Sequence, residues 1–487
     1  MTGADRTVYG GRRELLYENK IHAKFDGRLV IIGFGTVGQG VLPLILRHID
    51  IKPSRITIIT AEDWGGEEAA DYGIRFVVEP LTRDNYRRIL DPIIRAGDFI
   101  LNVSVEVSSL ALIEFAQEKG ALYLDTCIEP WAGGYTDTTM PAVDRTNYAL
   151  REAAMRLKER LPTGATAILT HGANPGMVSH FVKQALLDIA GDTGVETEMP
   201  VDRLGWAKLA RTLGVKVIHI AERDTQKSNL RKKAGEFVNT WSIDGFVGEG
   251  CQPSELGWGS HEKTLPHDGN RQNHGSKAAI FLSRPGASTR VRTWTPKAGP
   301  FHGFLITHSE AISIAAHLTV GEGDHPEYRP TVHYSYHPCD DAMLSVDELA
   351  GRNWKQQSEQ RLLMEDIVDG IDELGVLLMG HARGAYWYGS QLSIGEARRH
   401  VLHNSATSLQ ITSAVLAGVI WAIRHPDMGI IEADDLDFRE VLEIQMPYLG
   451  PVVGVYSEWT PLSDRSSLFP EDTDSDDPWQ FKNFRVS

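Results

Sequence analysis

Cysteine is scarce in this 487-residue sequence. Its three cysteines, Cys127, Cys251 and Cys339, are too few and too far apart for a disulfide framework, which indicates a reducing compartment. No uninterrupted apolar run approaches the ~18 residues that span a bilayer. The opening residues lack the apolar core of a signal peptide. We therefore expect a cytoplasmic protein with no membrane partner.

Basic residues are also in short supply. The chain has 49 Lys and Arg against 65 Asp and Glu, a formal net charge of −16. Nucleic-acid binding needs a basic surface, so we expect no nucleic-acid partner. An acidic field is compatible with cationic substrates, which it concentrates. A hydrophobic content of 42% over this length predicts a large buried core and two or three domains.

Strand and helix patterns alternate from about residue 28. Apolar runs typical of buried strands cover 28–33, 55–60, 74–78, 99–103, 122–125 and 165–170, and helical patterns cover 37–50, 83–95 and 108–119. Such βαβ alternation predicts an α/β fold with a Rossmann-type, doubly wound parallel sheet. Sheets of this kind bind their ligands at the carboxyl ends of the strands.

The pattern changes near residue 175, which predicts a second domain. Residues 216–350 are rich in extended segments that contain Trp and Gly, as in an α+β domain. We predict an NAD-binding domain over 1–170, completed by buried helix from about 394–425. A substrate-binding and dimerisation domain is predicted over 171–393, with a C-terminal extension, 426–487, packing on it.

A glycine fingerprint follows the first predicted strand. Gly33, Gly35 and Gly38 have the GxGxxG spacing between that strand and a helix, which is the context that a dinucleotide site requires. These glycines permit the tight turn, the approach of a pyrophosphate and close helix–strand packing. Thr36 and Val37 lie in the first turn of the helix, whose free N–H groups would face the phosphates.

The end of the second strand bears on the choice between NAD and NADP. The ribose usually meets an acidic residue there, but the strand ends in Thr60, with Glu62 and Asp63 just beyond it. No Lys or Arg lies within 60–64 to bind a 2′-phosphate. We therefore expect NAD as the cofactor, with Ser104, at the carboxyl end of another predicted strand, as a further contact.

One cluster of His and Cys residues has the side-chain types of a metal site. His333, His337 and Cys339 lie close together in sequence, but the surrounding residues have a strand pattern. Residues four apart on a strand are ~13 Å from each other, and no other Cys/His pair completes a tetrahedral set. We expect no metal.

Long segments of the chain resemble a known family. The resemblance extends from about residue 28 to 483. The residues that carry it are Gly33–Gly40, His308 and the segments Val103–Leu110, Asp125–Trp131, Gly172–Val178, His219–Gln226, Phe237–Ser242, Val368–Gly375 and Trp387–Ile394. On these residues the chain resembles the bacterial homospermidine synthases of the saccharopine-dehydrogenase-like superfamily. Two positions depart from the family pattern: Glu106 replaces an Asp, and Thr60 replaces the ribose-binding Asp.

The resemblance implies both an assembly and a reaction. It implies a two-domain homodimer that keeps NAD as a prosthetic group and makes sym-homospermidine from two putrescines with loss of ammonia. Putrescine plus spermidine, with release of 1,3-diaminopropane, is the other implied route. The net reaction is redox-neutral, so the reduced cofactor need not leave.

The resemblance also implies the residues of the active site. Trp241 would stabilise cationic intermediates, and carboxylates would hold or deprotonate the amines. The implied catalytic residues are Trp241, Glu222, Glu249, Asn174 and His308, and the implied substrate-binding residues are Glu106, Glu129 and Asp372.

Two alternatives remain open at this stage. One is a saccharopine- or carboxyspermidine-type NAD(P)-dependent dehydrogenase, which would need an Arg or Lys to bind a substrate carboxylate. The other is a non-catalytic NAD-binding sensor on the same fold, which would keep the glycines and lose Trp241 and the acidic residues.

Overall fold

The computed structural model describes residues 20–135, 137, 139–402, 404–465 and 469–486, so the first 19 residues of the predicted 1–170 domain lie outside the described part. The described chain begins with a strand-rich segment that ends at residue 169. Its strands are β1 (Ala23–Lys24), β2 (Leu29–Ile32), β3 (Ile49–Asp50), β4 (Ile56–Thr60), β5 (Arg75–Val78), β6 (Phe99–Asn102), β7 (Leu122–Asp125) and β8 (Ala167–Leu169). Its helices are α1 (Thr36–His48), α2 (Gly66–Asp71), α3 (Tyr86–Leu90), α4 (Ser109–Lys119) and α5 (Asn147–Arg160).

A longer mixed segment follows, up to residue 393. Its helices are α6 (Met177–Thr193), α7 (Arg203–Leu213), α8 (Ile243–Cys251), α9 (Ser309–His317) and α10 (Asp340–Gly351). Its strands are β9 (Val217–Asp224), β10 (Lys227–Ser228), β11 (Glu236–Asn239), β12 (Pro253–Gly257), β13 (Gly269–Arg271), β14 (Ala279–Pro285), β15 (Arg290–Thr295), β16 (Gly299–Phe304), β17 (Thr331–His337), β18 (Glu359–Leu362), β19 (Ile367–Asp369), β20 (Ile371–His381) and β21 (Gly384–Ser393).

The last part of the described chain is mainly helical. It contains α11 (Ile394–His400), α12 (Ala406–Arg424), β22 (Ile430–Glu432), α13 (Phe438–Gln445), β23 (Val452–Ser457) and α14 (Phe481–Phe484). Strand β22 joins the first large sheet, whereas β23 joins the second. The division into 1–170, 171–393 and 426–487 stays a prediction.

The first large sheet has the predicted Rossmann-type architecture. Its strand order is β22-β8-β7-β6-β2-β4-β5, and every neighbouring pair is parallel. Side chains alternate between two cores, because successive strand residues face opposite sides of a sheet. Ile31 packs with α1 and α12 on one face, and Val30 and Ile32 pack with α4 and α5 on the other. The predicted fold class is confirmed.

The second large sheet is mixed. Its main path runs β13-β14-β12-β17-β9-β20-β21-β23, with β15 and β16 joined beside β17. Strand β9 lies near the centre, parallel to β17 and antiparallel to β20. Helix α6 packs against β20 and β21. Strand β9 therefore presents its side chains well inside the protein.

The predicted long helix over 394–425 is two helices. Ser405 is the N-cap of the second, α12, and its hydroxyl accepts a hydrogen bond from the Ser408 N–H. A capping serine satisfies a free N–H at the start of a helix, so it favours a new helix there. Helix α12 is long and apolar enough to cross a membrane, but it packs against α1 and α13 and 89% of its most apolar 18-residue window is buried.

Two glycines allow β20 and β21 to pass closely beside Trp387. A Cβ atom on Gly389 would lie 2.4 Å from the Gly375 Cα and 2.5 Å from the Leu374 carbonyl oxygen. Both contacts are to backbone, which cannot move aside as a side chain can. By contrast, a Cβ atom on Gly191, an exposed residue of α6, meets nothing within 4 Å.

We predict that Gly389→Ala lowers the free energy of unfolding by ~1–3 kcal/mol, the usual range for overpacking. The control, Gly191→Ala, is expected to raise it by up to ~1 kcal/mol, because alanine favours the helix. Urea unfolding followed by circular dichroism measures both. Equal stability of the two variants would contradict this description of the β20–β21 contact.

Candidate functional site

The glycine turn between β2 and α1 leaves room for a ligand. Gly33 has φ +86°, and a Cβ atom there would lie 2.7 Å from the Ser104 Cα. A Cβ atom on Gly38 would lie 2.8 Å from the Gly33 carbonyl oxygen, but nothing lies within 4 Å of one on Gly35. No side chain caps the N-terminus of α1. The space beside Gly35 therefore adjoins uncapped N–H groups at the start of α1, and a pyrophosphate group needs both.

The other predicted cofactor contacts surround this turn. Thr36 is buried and Val37 half-buried in the first turn of α1. Thr60 ends β4, and its carbonyl accepts the Glu79 N–H, while Glu62 is exposed just beyond the strand. The Ser104 hydroxyl donates to Asn102 Oδ1 at 2.6 Å. Which of these residues contacts the ribose stays a prediction.

The second sheet brings three carboxyl groups onto one face. Glu222 and Asp224 are two residues apart on β9, so both point to the same side. Asp372 on β20 is the ladder partner of Asp224. Tyr336 on β17 is the ladder partner of Glu222. The acidic residues of β9 and β20 and the aromatic residues of β17 therefore share one surface.

Glu222 is almost fully buried. Its Oε2 atom accepts a hydrogen bond from the Tyr334 hydroxyl at 2.5 Å and another from Asn174 Nδ2 at 3.3 Å. Burial raises the pKa of Glu222 to about 8, and the Asp224 charge contributes in the same direction. A carboxyl group with this pKa can release or accept a proton near neutral pH, as an acid–base catalyst must.

The two neighbouring aspartates are tied to surrounding loops and helices. Asp224 accepts hydrogen bonds from Gln226 and Thr240, and burial raises its pKa to about 6. Asp372 accepts one from the Thr407 hydroxyl of α12, and burial followed by the charge of Glu222 raises its pKa well above the ordinary range. Asp372 is fully buried on β20, the strand next to β9.

His308 lies between two glutamates. Its Nε2 atom is 3.0 Å from Glu249 Oε2, and its Nδ1 atom is 3.1 Å from Glu310 Oε1. Burial alone would lower the pKa of His308, but the charges of Glu310 and Glu249 outweigh burial and raise it well above its ordinary value. The three side chains come from α8 and the start of α9.

A row of aromatic rings connects Trp241 to His308. Trp241 Nε1 donates to the Tyr336 hydroxyl at 3.0 Å, and Tyr336 stacks on Tyr334 with centroids 5.3 Å apart. Tyr334 in turn lies 4.2 Å from the ring of His308. Phe246 supports this row by contacting both Trp241 and Tyr336.

Local sequence pattern does not identify Tyr334 and Tyr336 as residues of this site. The strand pattern over 331–337 does place Tyr334 and Tyr336 on one face. It could not show which face meets Glu222, because that depends on the pairing of β17 with β9.

The first domain contributes two further acidic residues. The Glu106 N–H donates to Glu129 Oε2 at 3.2 Å. Burial raises the pKa of Glu129 to about 7, and the charge of Glu249 from the second domain contributes. Glu106 is exposed and lines an open cavity of about 660 Å³ beside Trp131 and Tyr135. Acidic residues of both domains therefore converge where the two domains meet.

No group of three or more His, Cys, Asp or Glu suited to a metal ion occurs in the part of the chain that the structure describes. His333 is buried in β17 with its ring 4.0 Å from that of His219.

Comparisons with known proteins identify the family of this chain. The model of the saccharopine dehydrogenase NADP binding domain matches residues 29–168, and that of the saccharopine dehydrogenase C-terminal domain matches residues 172–455. Homospermidine synthase of Blastochloris viridis is 54% identical over 96% of this chain and 98% of its own length. Homospermidine synthase of Mesorhizobium japonicum is 52% identical, with the same coverage of both chains.

A solved structure gives the same relationship. Homospermidine synthase of Legionella pneumophila, crystallised in complex with NAD, is 51% identical and superimposes with a TM-score of 0.90. The match covers 97% of this chain and 100% of that one. The chain belongs to the saccharopine dehydrogenase family and, within it, to the homospermidine synthases.

Proposed function

We propose that this protein is an NAD-dependent homospermidine synthase that joins two putrescines into sym-homospermidine and releases ammonia. Putrescine plus spermidine, with release of 1,3-diaminopropane, is the second route. The observation that carries the proposal is the buried Glu222 carboxyl group, which accepts a hydrogen bond from Tyr334 in the aromatic row that ends in Trp241. The relatives described above bear the same activity in their names.

The glycine turn supports NAD as the cofactor. Gly33, Gly35, Thr36, Val37 and Gly38 would hold the pyrophosphate at the start of α1. One matching family model is named for NADP. However, no Lys or Arg lies within residues 60–64 to bind a 2′-phosphate. Glu62 and Ser104 are the proposed ribose-side contacts. When bound, NAD supplies a hydride acceptor and donor, so one site can oxidise an amine and reduce the resulting Schiff base.

The acidic residues suit a diamine substrate. Putrescine carries two ammonium groups at neutral pH, because such amines titrate near ~10. One amine must lose a proton before its carbon can give up a hydride. We assign that proton transfer to Glu222, and we assign Asn174 to holding the Glu222 carboxyl group in place. Glu249 and Glu129, at the domain boundary, would bind the remaining ammonium.

The other predicted residues have supporting places. Glu106, on the exposed cavity, would attract the diamine toward Glu129. Asp372, fully buried on β20 beside β9, would ionise only when an ammonium group is close enough to compensate its charge. His308 would orient Glu249 through their hydrogen bond.

Trp241 suits the cationic intermediates of this reaction. Iminium ions are poorly solvated inside a protein, and a tryptophan face attracts a desolvated cation by ~2 kcal/mol. Trp241 is half-buried and its Nε1 donates to the hydroxyl of Tyr336, the ladder partner of Glu222, so the orientation of its ring is defined. We propose that this face stabilises the iminium carbon–nitrogen unit.

A saccharopine- or carboxyspermidine-type dehydrogenase is the less favoured function. Its substrate carries a carboxylate, which an Arg or Lys would bind. In the described part of the chain, the side chains that hydrogen bond to Glu222, Glu249 and His308 include neither residue type.

The proposal extends to the setting of the enzyme. We propose a cytoplasmic homodimer that acts on small-molecule polyamines and binds neither nucleic acid nor membrane. The acidic net charge of −16 supports the absence of nucleic acid, and the family resemblance supports the dimer.

The redox-neutral cycle gives the direct test of this function. Putrescine deuterated at its amine-bearing carbons, supplied as sole substrate, should give homospermidine that retains both deuterium atoms at the newly reduced carbon. An excess of unlabelled free NADH should not dilute the label in mass spectra. Loss of label to free NADH, or steady net change in NADH absorbance with turnover, would indicate an ordinary dehydrogenase.

The role of Trp241 gives a second prediction. Trp241→Ala should lower kcat by ~30-fold, the equivalent of ~2 kcal/mol, whereas Trp241→Phe should keep more activity because phenyl retains a weaker cation–π attraction. Trp294→Ala, on the opposite face of the second sheet, is the control and should stay near wild-type kcat. Similar rates for the Ala and Phe variants, with circular dichroism unchanged, would remove the cation–π role.

A further inference from the structure

Glu310 is a buried carboxylate with one polar partner. It is fully buried in the first turn of α9, and Oε1 lies 3.1 Å from His308 Nδ1. Its other oxygen has no hydrogen-bond partner among the described residues. A buried carboxylate is strongly destabilising unless a cation or several donors compensate it. Among the described residues, His308 is the hydrogen-bond partner that can compensate the charge of Glu310.

The geometry specifies the protonation of His308. Its second ring nitrogen, Nε2, is 3.0 Å from Glu249 Oε2. Carboxylates accept hydrogen bonds, and a neutral imidazole has a single N–H to donate. Only the imidazolium ion, which has two N–H groups, can donate a hydrogen bond to both carboxylates at once.

Other charged and titratable groups also face His308. Helix α9 contributes Glu310 and helix α8 contributes Glu249. Strand β17 contributes the Tyr334 ring at 4.2 Å, and strand β9 contributes Glu222. The positive end of α9 opposes the His308 charge, but it stabilises the charge of Glu310 in its first turn. Burial lowers the pKa of His308, yet the two carboxylates raise it well above its ordinary value.

We propose that Glu310 is a positioning residue that holds His308 as an imidazolium, so that His308 fixes Glu249 toward the diamine and does not accept the proton of the reacting amine. The inference rests on the proposed function, in which Glu249 binds an ammonium. Proton removal then falls to Glu222 alone. Glu310 acts only through His308, because nothing in its contacts brings it to the substrate.

The pH dependence of kcat/KM tests this role. In wild type, His308 should stay charged through the neutral and mildly alkaline range. Glu310→Gln removes one of the two charges that raise the His308 pKa, so His308 should lose its proton within that range. The ratio of variant to wild-type kcat/KM should therefore fall as pH rises, by ~10-fold for each unit above the new pKa.

Two further variants serve as controls. Glu310→Asp keeps the charge, so its pH profile should keep the wild-type shape even where its rate is lower at every pH. Glu373→Gln makes the same isosteric change at a buried glutamate that hydrogen bonds to Thr295 and Gln391. It should also keep the wild-type profile. A Glu310→Gln rate reduced equally at every pH would overturn the inference.

A spectroscopic measurement keeps the inference testable if Glu310→Gln does not fold. The imidazole ¹⁵N signals of His308 in wild-type protein, assigned by their loss in His308→Asn, should show both ring nitrogens still protonated well above the ordinary histidine pKa. Titration near the ordinary histidine value of ~6.5 would overturn the inference.

The two proposals fail separately. The NMR titration of His308 does not depend on substrate identity, so it can overturn the role of Glu310 alone. If wild-type protein formed no homospermidine from putrescine, the proposed function would fail whatever the titration showed.

Discussion

Negative charge that is buried without matching positive charge is the constraint on which this site depends. Glu222, Asp224 and Asp372 share one face of the second sheet, and all three are nearly or fully inaccessible to water. Burial raises the pKa of each carboxyl group, and the charges of neighbouring carboxylates add to this rise for Glu222 and Asp372. A diamine supplies the positive charge that the protein leaves out.

The same group of acidic residues also connects the two domains. Thr407, in the first turn of α12, donates to Asp372, and the Ala406 N–H donates to Gln226, which holds Asp224. Helix α12 packs along its length on α1, the helix that begins at the glycine turn. The N-terminus of α12 also stabilises nearby negative charge. A single helix therefore positions the acidic residues relative to the cofactor-binding turn.

The sequence predicted local features well. Gly33, Gly35 and Gly38 specify a strand, a turn and a helix within a few residues, and the structure has β2 and α1 there. The convergence of Glu249 with Glu129 depends on how two domains pack, and nothing near either residue encodes that packing. The pairing of β17 with β9, which brings Tyr334 to Glu222, is set by cores far away in sequence. The resemblance to a known family supplied Glu129, Glu222 and Glu249 where local pattern could not, but it did not supply Tyr334.

Burial raises the pKa of Glu222 to about 8, so Glu222 should be a neutral carboxylic acid at neutral pH until a cation binds. Infrared difference spectra between wild type and Glu222→Gln, recorded from about pH 5 to 10, test it most directly. We expect the C=O band of a protonated carboxylic acid at neutral pH, lost with a midpoint near 8. A carboxylate spectrum for Glu222 already at pH ~6 would instead show that Glu222 is ionised before any cation binds.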